Sequence, residues 1–402
     1  MAPIPVLAPS PALRRMLAER GAGSAARCYQ CATCSSVCEL APEAAPFPRR
    51  QMLLAQWGLG EQLMGDPALW LCHQCNDCNE RCPRDAQPGD VLQILRAAAV
   101  EALAFPSFLG RLVGNVRATW PFLVGLPIVF WIVLLAATTG LHVPGVNPEL
   151  SGLEGPFHYQ EFVPHALIYI VYTLTALWVL VAAWVGGRRL WNRLGQHGAR
   201  HGSFFAKLIP AVLEISTHRR FARCGESSLR RWGHLAVMWG FVGAAVTSGL
   251  LIPYLYRDSL FSWLPLPFAH DYPLPLDHPL KWLGNVSAVV LVIGGALLWK
   301  SRLGPADRRS GQTTAFDRFF LWTVLAVIAT GVLTEALRFL APPVVACTVY
   351  LAHLGIVLTL FVTFPYSKFA HLLYRTLAMV HQLMVDAATQ AGVQSKTEEE
   401  SR

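Results

Sequence analysis

Two cysteine runs with one shared spacing constrain the first hundred residues more than any other feature of this chain. The runs CYQCATCSSVC and CHQCNDCNERCP begin at Cys28 and Cys72, and both follow the pattern C-x2-C-x2-C-x3-C. With this spacing, three close thiolates hold three corners of a [4Fe-4S] cube, while the fourth thiolate reaches the other cluster. We therefore predict two [4Fe-4S] clusters within residues 28–83.

Each predicted cluster takes three cysteines from one run and one from the other. The ligands of the first cluster are then Cys28, Cys31, Cys34 and Cys82. The ligands of the second cluster are Cys72, Cys75, Cys78 and Cys38. Zinc or disulfides are the alternatives, but zinc ligands usually occur as separate C-x2-C pairs. Two runs of four with the same uneven spacing favour iron–sulfur clusters.

The chain as a whole is too apolar for a soluble protein. Hydrophobic residues make up 53% of the chain and charged residues only 14%, which is typical of membrane proteins. Runs long enough to cross a hydrocarbon core of about 30 Å occur at residues 121–140, 164–186, 232–252, 280–299, 319–340 and 345–366. We predict a mainly α protein, in which a small α-helical, ferredoxin-like head is joined to a six-helix transmembrane bundle.

Loop charges predict the side of the membrane on which the head lies. The segment 187–231 carries ten Lys or Arg residues, whereas the opposite loops are acidic and contain Arg257 as their only Lys or Arg. Cytoplasmic loops are rich in Lys and Arg, so we expect both termini and both clusters on the cytoplasmic side of an inner membrane. The N-terminus lacks the order of a signal peptide, in keeping with a reducing compartment where thiolates stay available to iron.

Four histidines stand where ionisable residues are costly and usually functional. They are His234, His278, His353 and His371. On one unbroken helix, the 18-residue spacing of His353 and His371 would place both on one face, about 27 Å apart. A haem needs two ligands at a similar depth in the membrane. We therefore pair His234 with His371, and His278 with His353. Each pair would supply two neutral imidazoles to a haem b, which predicts one or two haems.

The pair formed by His278 and His353 is the weaker prediction. His278 precedes Pro279 at the start of its helix, whereas His353 lies well inside its own span. Snorkelling toward the membrane interface or a hydrogen bond to a loop is the alternative role for His278. His218, in the basic loop, is expected near a haem or quinone edge rather than as a ligand. His73, inside the second run, is expected to tune the cluster rather than to bind it.

These features divide the chain into four parts. Residues 1–105 are predicted to form the cytoplasmic two-cluster domain, and residues 106–230 to hold two transmembrane helices and a basic loop. Residues 231–375 are predicted to form a four-helix cytochrome b-type domain, followed by a cytoplasmic tail at 376–402 whose charged end is expected to be disordered. The loop segment beginning FFAKLIPAVLEIST is amphipathic and is predicted to lie along the membrane surface.

The head and the membrane half each resemble a known family. The two runs, the intervening PRR, the segment DPALWLCHQC and the closing RCP resemble the C-type iron–sulfur subunit of heterodisulfide reductase. The membrane half is similar to the gamma type of nitrate reductase cytochrome b, whose last haem-bearing helix also carries two histidines 18 residues apart. Their fusion in one chain resembles the C-type subunits of quinone-interacting membrane-bound oxidoreductase complexes.

The resemblance implies a membrane protein that carries electrons within a larger complex, with quinone or quinol as its substrate. It implies partners that contain flavin and iron–sulfur clusters, and a link through them to adenylylsulfate reductase in sulfur metabolism. This chain departs from the families at two places. Glu39 follows Cys38 where the second run has Pro83 after its last cysteine, and the third span contains only His234 where the nitrate reductase type has two histidines.

The sequence leaves two other functions open. One is a heterodisulfide reductase- or sulfite reductase-linked membrane module that uses a different quinone-like carrier. The other is a membrane anchor whose clusters are structural and do not turn over. The chain contains no dinucleotide-binding glycine fingerprint and no aromatic-interleaved basic patch for nucleic acid. Hydride and sulfur chemistry are therefore expected in partner subunits.

Overall fold

The structure is a computed structural model that describes residues 8–40, 46–143, 158–219, 228–263, 274–302 and 311–400. Side chains are described for these residues except 228 and 392–400. Parts of the loops on which the predicted orientation depends, and residues 401 and 402 of the tail, lie outside the described residues.

The head is built from short helices around the two cysteine loops. They are α1 (Pro11–Leu17), α2 (Thr33–Ser36), α3 (Arg49–Trp57), α4 (Gly60–Met64), α5 (Pro67–Leu71), α6 (Asp77–Glu80) and α7 (Pro88–Leu103). A π-helical turn and a 3-10 turn connect α1 to the first loop. The part of the chain that the structure describes contains no β-strand, as the prediction of a mainly α protein requires.

Local sequence explains where the head helices begin. The α5 helix starts at Pro67, whose missing N–H is not needed at this position, and the Asp66 side chain accepts a hydrogen bond from the Ala68 backbone N–H at 2.9 Å. The longest head helix, α7, also begins with proline and buries one apolar face, on which Leu92 and Leu95 are fully buried.

The remaining helices form the membrane half and its extensions. They are α8 (Ser107–Gly114), α9 (Val116–Thr139), α10 (Tyr159–Phe162), α11 (His165–Leu194), α12 (Phe204–Thr217), α13 (Ser228–Leu255), α14 (Pro279–Lys300), α15 (Ala315–Leu340), α16 (Pro343–Thr363) and α17 (Ala370–Glu400). Six segments of the described chain are long and apolar enough to cross a membrane: α9, α11, α13, α14, α15 and α16 with the start of α17. The six predicted spans are confirmed.

Small residues bring α13 and α14 into close contact. A Cβ at Gly294 of α14 would lie 2.8 Å from the Val237 backbone nitrogen and 2.9 Å from the Ala236 Cβ of α13. Membrane helices pack tightly where small residues let their backbones approach. Gly294 therefore fixes the separation of α13 and α14 close to His234.

The prediction of one unbroken helix from His353 to His371 is wrong. The α16 helix ends at Thr363, a 3-10 turn follows at Phe364–Tyr366, and α17 begins at Ala370. Pro365 explains the break, because a proline inside a helix removes a backbone donor and its ring clashes with the preceding turn. The two histidines therefore lie on different helices. The α17 helix continues to Glu400, through most of the segment predicted to be disordered.

The head packs directly onto the membrane half. One hydrophobic cluster joins residues of the head to Leu190 and Leu194 of α11 and to Tyr374 of α17. The rings of Trp70 and Tyr374 have centroids 4.9 Å apart. We call this side of the membrane half the head side. The amphipathic helix α12 also lies here, where its buried Ala211 packs against α17.

Candidate redox site

The two cysteine loops have the same backbone conformation. Gln30 and Ala32 in the first loop and Gln74 and Asn76 in the second have positive φ angles of 61°, 67°, 57° and 63°. These residues stand at equivalent positions, two and four places after the first cysteine of each run. Left-handed residues in such a loop turn backbone N–H groups inward, a geometry common at iron–sulfur sites. Both loops are thus shaped to surround anionic sulfur.

The electrostatic neighbours of Cys34 and Cys78 follow the predicted crosswise assignment. Burial raises the pKa of the Cys34 thiol to about 11, and the neighbouring thiols of the same predicted set add to the rise: Cys28, Cys82 and Cys31. Burial likewise raises the pKa of Cys78 well above its usual value, with further contributions from Cys72, Cys75, Cys34 and Cys38. Each run therefore has the last cysteine of the other run nearby. The individual cluster ligands remain a prediction.

Backbone N–H groups donate hydrogen bonds to two of these sulfur atoms. The Gln74 backbone N–H donates to Cys72 Sγ at 3.3 Å, and the Ala86 N–H donates to Cys82 Sγ at 3.3 Å. Such bonds stabilise a thiolate and tune a bound cluster. Among the described residues, no three Cys, His or acidic side chains lie close enough to hold a single metal ion.

The first loop is the more open of the two. Cys31 is exposed, and the neighbouring Tyr29 is 69% exposed. A hydrogen bond with Thr33 lowers the pKa of the Cys31 thiol. The cysteines at the start of the second loop are only partly exposed, because the membrane half packs on that side.

His234 of α13 and His371 of α17 come together on the head side. Their ring centroids are 6.1 Å apart. Imidazole nitrogens bind metals at about 2 Å and lie about 1 Å from the ring centroid, so two imidazoles on opposite sides of one metal have centroids about 6 Å apart. The separation of His234 and His371 would therefore allow both rings to hold one metal-centred group, such as a haem, which would supply one-electron transfer.

Hydrogen bonds to Nδ1 orient both rings. His371 Nδ1 is paired with the Lys368 carbonyl oxygen, and His234 Nδ1 lies 2.9 Å from His218 Nε2. Metal-binding histidines usually engage their second nitrogen in this way, which fixes the tautomer and the ring orientation. The described contacts of both rings leave Nε2 as the nitrogen that can bind iron.

His218 takes a larger part in this site than the sequence indicated. It caps the C-terminus of α12 with a left-handed φ of 51°, and this turn directs its ring toward α13. Its ring centroid lies 4.9 Å from that of His234. Burial lowers the pKa of His218, so the ring is held neutral. The sequence signal was a histidine directly after an amphipathic helix, which by itself gives no partner.

The structure does not bring His278 and His353 into contact. His278 is 3% exposed and caps α14, where its Nδ1 accepts a hydrogen bond from the Leu280 N–H at 3.2 Å. His353 instead lies 2.9 Å from Thr330 Oγ1 of α15 through its Nδ1. The hydrogen bond of His278 is thus made to the first turn of its own helix, α14, and not to a loop. A second haem at this pair stays a prediction.

Three arginines hold the second cysteine loop. Arg230 of α13 donates to the carbonyl oxygens of Gln74 and His73 at 3.0 and 3.1 Å. Arg375 of α17 donates to the Cys72 carbonyl oxygen at 3.3 Å, and its Nη2 lies 2.9 Å from the His73 ring nitrogens. Arg96 of the head also donates to the Cys72 carbonyl oxygen, at 3.0 Å. We call Arg96, Arg230 and Arg375 the arginine clamp.

Comparison with known proteins identifies the head. Residues 24–86 match the family model of the 4Fe-4S dicluster domain. The C-type subunit of the H2:CoB-CoM heterodisulfide,ferredoxin reductase from Methanothermobacter thermautotrophicus is 39% identical over 83 residues, which is 20% of this chain and 44% of that protein. A protein from Archaeoglobus profundus that is like the C-type subunit of heterodisulfide reductase is 34% identical over 93 residues, 23% of this chain and 50% of that protein.

One relative extends beyond the head. Citrate utilization protein B from Escherichia coli is 24% identical over 334 residues, which is 77% of this chain and 80% of that protein. No solved structure gives a significant match. The head is thus a 4Fe-4S dicluster domain similar to the C-type subunit of heterodisulfide reductase, and the six apolar helices fit a membrane part fused to it.

Proposed function

We propose that this chain, a 4Fe-4S dicluster head joined to six apolar helices, is the membrane electron-transfer subunit of an oxidoreductase complex. In this proposal it relays electrons between the quinone pool and soluble partners that contain flavin and iron–sulfur clusters. The observation that carries it is the pair His234 and His371, 6.1 Å apart and next to the arginines that hold the second cysteine loop. The methanogen protein that the head resembles is itself one subunit of a reductase.

The cofactors of this proposal are two [4Fe-4S] clusters and a haem b. Bound to the eight cysteines and to the histidine pair, these groups supply one-electron transfer. Oxidation of one quinol to quinone releases two electrons and two protons, so two single transfers serve each quinol.

The residues of the site orient the two histidine rings and connect them to the cysteine loops. His218 and the Lys368 carbonyl oxygen hold the two ligand rings through Nδ1. The first loop, with Cys31 exposed, offers the open edge that a soluble partner needs, whereas the second loop faces the histidines. The proposed order is therefore partner, first loop, second loop, histidine pair and quinone.

Difference spectroscopy with metal analysis tests this function. Purified protein should contain iron and acid-labile sulfide in the proportion of two [4Fe-4S] clusters, and a quinol analogue should reduce a b-type haem. Zinc in place of iron, or no b-type α-band, would reject the proposal. Clusters that stay oxidised and a haem that no quinol reduces would instead support the membrane anchor.

The soluble partner proposed first is adenylylsulfate reductase, as the resemblance of the whole chain implies. A redox module in citrate utilization is a second candidate, because the similarity to citrate utilization protein B covers 77% of this chain. A heterodisulfide reductase- or sulfite reductase-linked module is the third. Purified candidate enzymes can be mixed with the reduced protein, and the enzyme that reoxidises the clusters at a catalytic rate identifies the partner class.

A further inference from the structure

The two membrane arginines of the clamp stand in matching positions relative to the histidine pair. Arg230 precedes His234 by four residues on α13, and Arg375 follows His371 by four residues on α17. Residues four apart lie one turn along the same helix face. Each histidine is therefore linked by a single helical turn to a guanidinium group that contacts the second cysteine loop.

The contacts of these arginines concentrate on three consecutive residues. The carbonyl oxygens of Cys72, His73 and Gln74 all accept hydrogen bonds from the clamp. Because guanidinium groups stay charged and present donors in a fixed fork, they hold the loop at a defined distance from α13 and α17. The first cysteine loop is instead held by residues of the head, such as Gln56, which donates to the Cys28 carbonyl oxygen at 2.9 Å.

The clamp also places positive charge beside the second loop. Arg96, Arg230 and Arg375 all contact its backbone. Positive charge and hydrogen bonds near a cluster stabilise its reduced form and raise its reduction potential. Near the first loop, Arg49 acts on the exposed Cys31 and the Arg84 guanidinium lies over the exposed Tyr29 ring at 4.0 Å, and solvent screens both charges.

We call the cluster predicted on Cys72, Cys75, Cys78 and Cys38 the second-run cluster and the other the first-run cluster. We propose that Arg230 and Arg375 are positioning residues that make the second-run cluster the electron-transfer partner of the histidine pair and raise its potential above that of the first-run cluster. This inference rests on the proposed function. One electron leaves the second-run cluster in each transfer, and two transfers with two protons convert one quinone to quinol. In the opposite direction, one quinol supplies the same two electrons. The clamp thereby gives the two otherwise similar clusters different roles.

The test uses the full-length protein with its clusters and haem, and the variants Arg230→Gln, Arg375→Gln and their combination. Each cluster is titrated by electron paramagnetic resonance. The dithionite-reduced protein is then mixed with a quinone analogue, and reoxidation of the haem and of each cluster is followed. Arg84→Gln, which changes an arginine beside the other loop, is the matched control.

In the double variant we expect the equilibrium constant for reduction of the second-run cluster to fall at least tenfold. For a one-electron couple this lowers the potential by 59 mV. The lower potential by itself favours oxidation of the cluster, but the loop is no longer held against α13 and α17. Reoxidation of the clusters should therefore slow by tenfold or more, whereas reoxidation of the haem by quinone should stay unchanged. Arg84→Gln should leave the second-run potential and both rates as in the unmodified protein. A structural role alone would not separate the cluster rate from the haem rate.

Unchanged potentials and rates in a double variant that retains haem and clusters would overturn the inference and leave the proposed function standing. A potential that shifts more in the first-run cluster than in the second-run cluster would also overturn the inference and leave the proposed function standing. A wild-type protein without b-type haem would overturn both. If the glutamine variants lose their clusters, Arg230→Lys and Arg375→Lys keep the charge without the fork. They should retain the second-run potential yet slow cluster reoxidation, and an altered potential with an unchanged rate would contradict the inference.

Discussion

At the scale of the residue, the cysteines of the two predicted cluster sets differ in how readily they lose a proton. The Thr33 contact lowers the pKa of the exposed Cys31, whereas burial raises the pKa of Cys34 to about 11 and that of Cys78 well above its usual value. Iron binds thiolates, so cluster assembly must release protons from the buried thiols. The exposed cysteine is therefore the easiest point of entry for iron.

These pKa differences predict an order of alkylation in protein from which the clusters have been removed. Cys31 should react with iodoacetamide first at pH 7, and Cys34 and Cys78 should react last, because the thiolate is the reactive form. The rate at Cys34 should keep rising as the pH approaches 11, since its folded pKa lies there. Peptide mass spectrometry over time measures this order. Equal rates at the three cysteines would contradict it.

At the scale of the element, close helix packing positions His234. The helix α13 carries both His234 and Arg230, and its distance from α14 is set where Gly294 meets the Val237 backbone. A larger residue at Gly294 must push the two helices apart, since a Cβ there already lies within 3.0 Å of backbone and side-chain atoms of α13. The histidine pair thus depends on a glycine of the neighbouring helix.

Gly294→Val should lower the free energy of unfolding by about 1–3 kcal/mol through overpacking and should reduce haem content by more than half. The matched control is Gly249→Val on α13, because a Cβ at Gly249 meets no atom within 4 Å. Thermal unfolding and haem content per chain measure both effects. Equal haem content in the two variants would show that the packing of α14 against α13 does not position His234.

Sequence reasoning succeeded at the level of elements where the signal is local. Cysteine spacing predicted two equivalent loops, and hydropathy predicted six spans, which the structure contains. It failed beyond the end of the last span, because one unbroken helix was assumed to continue from His353 to His371, and Pro365 breaks that helix. It also missed the roles of Arg230 and Arg375, which reach the loop from 156 and 302 residues away in sequence. Contacts between residues so far apart in the sequence produce no periodic pattern from which they could be predicted.

At the scale of the whole molecule, the head and the arginine-rich ends of the membrane helices lie on one side. Arg189 of α11 donates to the carbonyl oxygens of Leu103 and Ala104 at the end of the head, at 3.2 and 2.6 Å. The basic segments that predict a cytoplasmic location are therefore the ones that hold the head. The cytoplasmic orientation itself remains a prediction.

Trypsin added to sealed membrane vesicles tests this orientation. In right-side-out vesicles, cleavage should occur at Arg257, in the loop after α13 that is predicted to lie on the outer side, while the arginines of the head stay intact. Inverted vesicles should give the reverse result, with cleavage in the head and in the segment 187–231. Head fragments released from right-side-out vesicles would place the clusters on the outer side.

The proposed function depends most on a haem b held by His234 and His371 beside the second cysteine loop. The most direct measurement is haem content per chain, by the pyridine haemochrome assay, in the unmodified protein and in the variants His234→Ala, His371→Ala and His201→Ala. His201 has an exposed side chain outside the site and serves as the control. We expect either ligand variant to lose the head-side haem and His201→Ala to retain it. Full haem content in His234→Ala and His371→Ala would rule out this haem site.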